Sequence, residues 1–152
     1  MQDLIRRTAA ALAAACMAAL LLGTPTGAEQ RTYQAGGEVV GYYAGWAAYQ
    51  GYTPDQLPAE HLTQINYAFA RIDPDTLTIA LENPAHDKKN LAALRKLRQQ
   101  NGHLKLLISV GGWSDSQHFS DAAATAARRE AFAASCVDFV VAQGLDGVDL
   151  DW

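Results

Sequence analysis

The chain has 152 residues, of which 49% are hydrophobic and 18% are charged, and its formal net charge is −4. This composition is typical of a folded α/β protein, and the length suits a single domain. The mildly acidic balance leaves no basic stripe for a nucleic-acid backbone, so we expect no nucleic-acid partner and favour a neutral polymer over a polyanion.

The N-terminus has the layout of a secretory signal peptide. Arg6 and Arg7 precede an apolar run at residues 8–22, and small residues follow as far as Ala28. The run is short and built largely of Ala, which disfavours retention in a bilayer as a membrane anchor. We therefore predict a signal peptide at residues 1–28, secretion to the extracellular space, and no membrane attachment after cleavage.

The two cysteines cannot pair within the mature chain. Cys16 lies inside the apolar run and is removed with it, so only Cys136 remains. A lipid anchor on Cys16 is disfavoured, because Ala13 rather than Leu stands three residues before it. Cys136 falls on the apolar face of a predicted helix, and we interpret it as a buried, inert thiol.

Four strands and two helices are predicted after the signal peptide. β-branched and aromatic runs bounded by turn residues predict strands at 39–46, 64–72, 104–110 and 145–152. Leu at helical spacing predicts one helix from Asp87, as its N-cap, to Gly102, and an apolar stripe predicts another at 125–143. A short helical turn is predicted at 58–61 and an additional extended segment at 76–84.

This alternation of strands and helices predicts a parallel sheet with right-handed crossovers. A doubly wound sheet and a (β/α)8 barrel both fit the order. No phosphate-binding glycine motif follows the first strand, which disfavours the nucleotide-binding version of the doubly wound sheet. A complete barrel takes about 250 residues. We therefore expect an α/β fold consisting of the N-terminal half of a (β/α)8 TIM barrel, truncated within strand 4.

The last predicted strand carries two acids on one face. Asp149 and Asp151 alternate with Val148, Leu150 and Trp152, in the period-two pattern of a strand. Strands of a parallel sheet are buried on both faces, so we expect both carboxylates to point into a barrel or a crevice. Buried acids of this kind mark a functional site. The alternative is a solvent-facing edge strand, which a lone D-x-D would favour.

Aromatic and small residues cluster at the ends of the earlier strands. Ser109 and Gly111 face the same side as the acids, and Gly112 and Trp113 open the next loop, which leaves room for a ligand. The loop after the first strand holds three aromatic residues, which either pack against the domain or form a stacking platform for sugar rings. These residues are Trp46, Tyr49 and Tyr52.

The histidines show no metal-ligand spacing, so we predict no metal site and interpret them as solvated loop residues. They are His61, His86, His103 and His118.

Four segments together resemble glycoside hydrolase family 18, the chitinase family. They are VVGYY in the first strand, QINYAFA in the second, S-x-G-G at 109–112, and D-G-V-D-L-D-W at 146–152. The last segment lacks only the final Glu of the family signature D-G-x-D-x-D-x-E. Because the four occur in the family's order and spacing, the combination is specific, whereas a lone D-x-D or G-G is not. The resemblance implies a partial catalytic domain at residues 29–152, comprising barrel strands 1 to 4.

The resemblance implies hydrolysis of β-1,4 bonds in chitin by a retaining, substrate-assisted mechanism without a cofactor. The general acid would be a Glu directly after Trp152. Asp151 would orient and polarise the 2-acetamido group, whose carbonyl attacks the anomeric carbon. Asp149 would hold or relay a proton, and Asp146 would brace the turn before the strand.

The resemblance also implies supporting and substrate-binding residues. Tyr42 and Ser109 would hydrogen-bond the inner Asp from below, and Trp113 would stack on a sugar in the leaving-group half of the cleft. Phe69 would line the acetamido side. Gly111, Gly112 and Trp46 complete the predicted substrate-binding set.

Other functions remain open at this stage. A peptidoglycan or N-glycan endo-N-acetylglucosaminidase of the same family is one alternative, and a non-catalytic, lectin-like chitin-binding member is another. An α/β module unrelated to sugars is the third. A Glu after Trp152 would indicate an enzyme, whereas Gln or Leu would indicate a lectin-like protein. We expect the whole protein to be a monomer, and the 152 residues alone to be inactive and poorly folded, because half a barrel leaves open sheet edges.

Overall fold

The computed structural model describes residues 37–152. Its strands are β1 (Val40–Ala44), β2 (Gln64–Ile72), β3 (Ile79–Leu81), β4 (Lys105–Gly111) and β5 (Gly147–Asp151). Its α-helices are α1 (Pro84–Gln100), α2 (Phe119–Ala123) and α3 (Ala126–Gln143), and 3-10 turns span Gly45–Gln50, Pro54–Gln56 and Ala59–His61. The predicted signal peptide, residues 1–28, lies outside the described residues and stays a prediction. Within residues 37–152, no helix combines the length and the apolar character needed to cross a membrane.

The sheet is parallel in the order β1, β2, β4, β5. The short β3 pairs antiparallel with the end of β2 and accounts for the extended segment predicted at 76–84. Each of the three parallel pairings spans a helix or a series of short turns, as parallel connections require. The predicted parallel α/β arrangement is therefore confirmed.

The two faces of the sheet differ in chemistry. One face carries large side chains that are almost completely buried and that pack against helix residues such as Leu91 and Leu94. These sheet residues are Tyr43, Ile65, Tyr67, Leu106, Ile108 and Val110. The opposite face carries polar residues in register, since Tyr42 pairs with Asn66 and Ser109 pairs with Asp149. The hydrophobic core thus lies between the sheet and the helices, and the polar face of the sheet is the one that can hold a functional site.

Helix α3 agrees with its predicted boundaries. The Thr125 side chain caps the helix by accepting a hydrogen bond from Arg128 N, and Gly144 ends it with φ +61°. Cys136 of this helix is buried, as predicted, and burial raises the pKa of its thiol to about 11. A thiol with so high a pKa stays protonated and is a poor nucleophile.

Several predicted boundaries were wrong by two or more residues, and two of these differences have a clear physical reason. Helix α1 begins at Pro84 with Asn83 as its N-cap, so Asp87 lies inside the first turn rather than capping it. Strand β1 ends at Ala44, two residues before the predicted end, because the backbone turns tightly at Gly45 over the buried Tyr67 ring. A Cβ at Gly45 would lie only 2.5 Å from the Tyr67 hydroxyl oxygen.

Candidate functional site

Asp149 lies at the centre of the polar face and receives two hydrogen bonds. The Ser109 hydroxyl donates to Asp149 Oδ2 over 2.7 Å, and the Tyr42 hydroxyl donates to the same oxygen over 3.0 Å. The parallel register sets this up, because Ser109 of β4 is paired with Asp149 of β5. Strands β1, β4 and β5 therefore bring together three of the predicted site residues.

The Tyr42 hydroxyl is held in its protonated form. The Asn66 amide acts to lower the pKa of Tyr42, but the hydrogen bond to Asp149, partial burial and the charges of Asp149 and Asp151 outweigh it and raise the pKa. Tyr42 consequently acts as a donor to the carboxylate. Asn66, which is almost fully buried, was missed in the sequence. The only signal in the sequence is an amide residue between Ile65 and Tyr67 in a largely apolar strand. The register of β1 and β2 then places it beside Tyr42.

Asp151 shares its face of β5 with Asp149, which confirms the predicted alternation. The predicted burial of the two acids was wrong for the described residues, since Asp149 is half-buried and Asp151 is exposed. The physical reason is that β5 is paired with β4 on one side only within residues 37–152. The edge position lets water reach the end of the strand.

The main chain at Asp151 is fixed by the loop after β4. The Asp151 carbonyl accepts one hydrogen bond from Gly112 N over 2.9 Å and another from the Ser116 hydroxyl over 3.0 Å. Next along the chain, the Trp152 ring stacks on Phe119 with ring centres 5.3 Å apart. These contacts determine where the end of β5 lies. Ser116 was missed because it sits in a loop without periodicity.

Asp146 lies apart from the other acids. Its Oδ2 accepts hydrogen bonds from Arg98 Nη1 at 2.9 Å and from Leu106 N at 2.8 Å. Partial burial acts to raise the pKa of Asp146, but these hydrogen bonds and the Arg98 charge outweigh it, so the pKa is lowered. The Asp146 carboxylate thus links α1 and β4 to the start of β5, at the turn that it was predicted to brace. None of its partners belongs to the group formed by Tyr42, Ser109 and Asp149, which we call the Asp149 cluster.

Replacing Asp146 by Asn in the whole protein is expected to destabilise it at pH 7 by about 1–2 kcal/mol, because charge-assisted bonds to Arg98 and Leu106 are lost. A carboxylate with a lowered folded-state pKa stabilises the fold above its unfolded pKa near 4, and this contribution is lost as the pH falls through the folded value. The melting-temperature difference between wild type and variant should therefore shrink below about pH 4. A difference that stays constant down to pH 2.5 would contradict this assignment.

The predicted substrate-binding aromatics lie at the carboxyl ends of the strands. Trp113 is fully exposed, and Trp46 stacks on Phe69 with ring centres 6.1 Å apart while more than half of its surface stays accessible. The Phe69 ring packs on Gly112, where a Cβ would come within 2.9 Å of it. Gly111 is likewise hemmed in, by Asp151 and Phe119. Trp46 therefore both packs against the domain and presents a free surface.

The interpretation of His86 as a solvated loop residue was wrong. His86 lies in the first turn of α1 and stacks on Tyr49 with ring centres 3.9 Å apart, and its Nε2 is 2.9 Å from Gly45 O. His61 and His103 are exposed, and His118 Nδ1 lies 3.7 Å from an Asp121 carboxylate oxygen. Within residues 37–152 no group of three or more His, Cys, Asp or Glu side chains could hold a metal ion.

A buried polar network supports the aromatic turn from behind. The Tyr67 hydroxyl donates to Asp87 Oδ1 over 2.7 Å, and Asn90 Nδ2 donates to Gly45 O over 3.1 Å and to Tyr67 over 3.2 Å. Burial, together with the bond to Asp87, raises the pKa of Tyr67, so its hydroxyl stays protonated. The network fixes the start of the turn that carries Trp46, and the sequence pattern predicted none of it.

Comparisons with known proteins agree with this geometry. Residues 38–152 match the family model described as Glycosyl hydrolases family 18. Chitinase A1 of Niallia circulans is 39% identical to this chain over the aligned segment, which covers 76% of this chain and 23% of the relative.

Two solved structures are similar to the described residues. Chitinase ChiA74 from Bacillus thuringiensis aligns with a TM-score of 0.72 and 31% identity, covering 76% of this chain and 27% of that protein. Catalytic domain 2 of the Ostrinia furnacalis Group II chitinase, solved as a mutant with penta-N-acetylchitooctaose, aligns with a TM-score of 0.70 and 36% identity. That alignment covers 76% of this chain and 32% of the solved one. The chain thus spans about a quarter to a third of the relatives' length, and the predicted fold class, part of a TIM barrel, is confirmed.

Proposed function

The chain belongs to glycosyl hydrolase family 18, and from this membership we propose that the whole protein hydrolyses β-1,4 bonds in chitin or a related N-acetylglucosamine polymer. The observation that carries the proposal is the Asp149 carboxylate, held by Tyr42 and Ser109, with Asp151 on the same face of β5. Structural stability alone does not call for two neighbouring carboxylates on one side of a strand, since they repel each other when both are ionised.

The proposed reaction is retaining and uses the substrate's own amide. The Asp151 carboxylate orients the 2-acetamido group, whose carbonyl oxygen forms a bond to the anomeric carbon as the glycosidic C–O bond breaks. The leaving oxygen takes a proton from a general acid, for which we propose a Glu directly after Trp152. Water then attacks the anomeric carbon of the cyclic oxazolinium ion from the opposite side and gives its proton to the carboxylate of the same Glu. The oxazolinium C–O bond breaks and regenerates the acetamido group, so the product keeps the original anomeric configuration.

Asp149 serves this reaction as a proton-holding neighbour of Asp151. Both of its hydroxyl donors bind Oδ2, so we propose Oδ1 as the atom through which Asp149 holds or relays a proton during the reaction. The Tyr42 and Ser109 hydroxyls fix the plane of the Asp149 carboxylate, which preorganises the pair before substrate arrives.

A direct test is hydrolysis of hexa-N-acetylchitohexaose by the whole protein, followed by proton NMR of the first products. We expect β-anomers to appear first and to convert to the α form only by mutarotation. Initial α-anomers would exclude the retaining mechanism. Binding without cleavage would instead favour the lectin-like alternative, and preferred cleavage of peptidoglycan or N-glycans would favour an endo-N-acetylglucosaminidase.

We further propose that the whole protein is secreted, from the signal-peptide pattern of residues 1–28, and that it is a monomer. The activity is proposed for the whole protein. The 152 residues alone are expected to be inactive, because the proposed mechanism needs an acid that they do not contain.

A further inference from the structure

The Tyr42 side chain crosses the polar face of the sheet. It starts on β1, and its hydroxyl reaches Asp149 on β5, so it passes over β2 and β4, which lie between these two strands. The residue of β2 that is paired with Tyr42 is Asn66. Paired residues on neighbouring parallel strands point to the same face, so the Asn66 amide lies on the face that Tyr42 crosses.

Asn66 is a buried amide with one end already hydrogen-bonded. It is only 2% exposed, and it lies between Ile65 and Tyr67, which are buried on the opposite face. Burial of an amide is costly unless its polar atoms find partners. Gln64 Nε2 donates to Asn66 Oδ1 over 2.7 Å, which satisfies the oxygen. The Nδ2 group is then the end that serves as a donor towards the paired Tyr42.

The hydrogen-bonding capacity of the Tyr42 hydroxyl fits such a donor. A phenol has a single proton to donate and an oxygen that can also accept. The Tyr42 proton is directed to Asp149 Oδ2 over 3.0 Å, so the oxygen is the atom that Asn66 can bind. Of the influences on the pKa of Tyr42, Asn66 is the largest, and it acts to lower the pKa, as a donor to the phenol oxygen does. An amide oxygen facing the hydroxyl would have the opposite effect.

We propose that Asn66 is a positioning residue, whose Nδ2 donates to the Tyr42 hydroxyl oxygen and so directs the single Tyr42 proton to Asp149. The hydrogen bonds then run in one direction, from Gln64 to the Asp149 carboxylate, and each strengthens the next. Tyr42 is more than half exposed, so water competes for its proton, and a donor on the oxygen opposes rotation of that proton away from Asp149. The inference rests on the proposed function, because it assigns Asn66 to the preparation of Asp149 for proton transfer.

A kinetic test uses the whole protein and hexa-N-acetylchitohexaose. Asn66→Leu keeps a similar side-chain volume without the donor, and we expect kcat to fall about fivefold, the size of one neutral hydrogen bond. KM should change little, because Asn66 is too deeply buried to contact substrate. In a Tyr42→Phe background, Asn66→Leu should cause no further loss of kcat, since the hydroxyl through which it acts is gone.

A spectroscopic test does not depend on hydrolysis. In the whole protein labelled with ¹³C at the tyrosine Cζ, NMR follows the titration of each tyrosine, and Tyr42→Phe identifies the Tyr42 signal. Asn66→Leu should move the midpoint of the Tyr42 titration to higher pH, because a donor that stabilises the phenolate is lost. The matched control is Asn90→Leu, which removes another buried amide, bonded to Gly45 and Tyr67, and should leave the Tyr42 midpoint unchanged.

Gln64→Leu is a milder variant, because Gln64 is only partly buried. It removes the donor that orients Asn66, so it should lower kcat and raise the Tyr42 midpoint by smaller amounts. An unchanged midpoint in Asn66→Leu overturns the inference, as do kcat losses that multiply in the double variant. If Asn66→Leu does not fold, an unchanged midpoint in Gln64→Leu overturns it. A wild type that does not cleave the hexamer contradicts the proposed function instead, and the titration still tests the donor to Tyr42.

Discussion

Asp151→Asn in the whole protein is expected to lower kcat on hexa-N-acetylchitohexaose by at least about 100-fold, while KM changes little. The amide keeps the size of the side chain but removes the negative charge that, in the proposed mechanism, polarises the attacking acetamido group as positive charge develops on it. The interaction is strongest in the transition state, so its loss falls on kcat. Steady-state kinetics at several substrate concentrations separate the two constants.

The matched control is Asp138→Asn, the same chemical change at an exposed position of helix α3. It should leave kcat within about twofold of wild type, since surface changes of this kind have small effects. Melting temperatures equal to that of wild type would show that the loss of activity in Asp151→Asn does not reflect misfolding. A kcat for Asp151→Asn within a few-fold of wild type would remove this residue from the mechanism.

Gly111→Ala is expected to destabilise the whole protein by at least about 2 kcal/mol and to abolish most of its activity. The residue has φ +105°, a region that non-glycine residues rarely adopt. A Cβ would lie 2.5 Å from the Asp151 carbonyl oxygen and 2.6 Å from the Phe119 ring, so β4 and β5 would have to separate at the site. Thermal unfolding and chitohexaose hydrolysis measure the two effects.

Two other glycines separate backbone strain from steric conflict. Gly51 has φ +87° with nothing within 4 Å of an added Cβ, so Gly51→Ala introduces backbone strain without a steric conflict. Gly102 has neither a positive φ nor a neighbour within 4 Å, and Gly102→Ala should be nearly neutral. If Gly111→Ala proves no more harmful than Gly51→Ala, then the contacts with Asp151 and Phe119 are not what requires glycine.

Period-two patterning predicted most of the Asp149 cluster. Asp149 and Asp151 alternate with apolar residues, and Ser109 has the matching parity in β4, so the correct face followed from the sequence. The hydrogen bond between Ser109 and Asp149 also depends on the register of β4 against β5, which cannot be read from the sequence. The exposure of Asp151 within residues 37–152 was not predicted for a related reason, because burial depends on which strand lies beside β5.

The contacts around the first turn of α1 were harder to foresee, since their residues lie in loops and at a helix start. Glu82, Asn83 and His86 belong to no periodic pattern, and Asp87 resembled an N-cap because Asp is common there. The actual start follows from Pro84, which fits the first helical position, after Asn83. The preferences of single residues for helix starts identified the right residue types but not which of these residues form the first turn of α1.

The bond between the Tyr42 hydroxyl and Asp149 joins residues that are 107 positions apart in the chain. Contacts so distant in sequence carry a large loop-closure entropy and form late, after the intervening strands and helices have organised. During synthesis, β1 leaves the ribosome long before β5 and waits without its partner. The carboxylate therefore acquires its two hydroxyl donors only after β5 has joined the sheet, so a nascent chain that stops short of β5 carries no assembled Asp149 cluster.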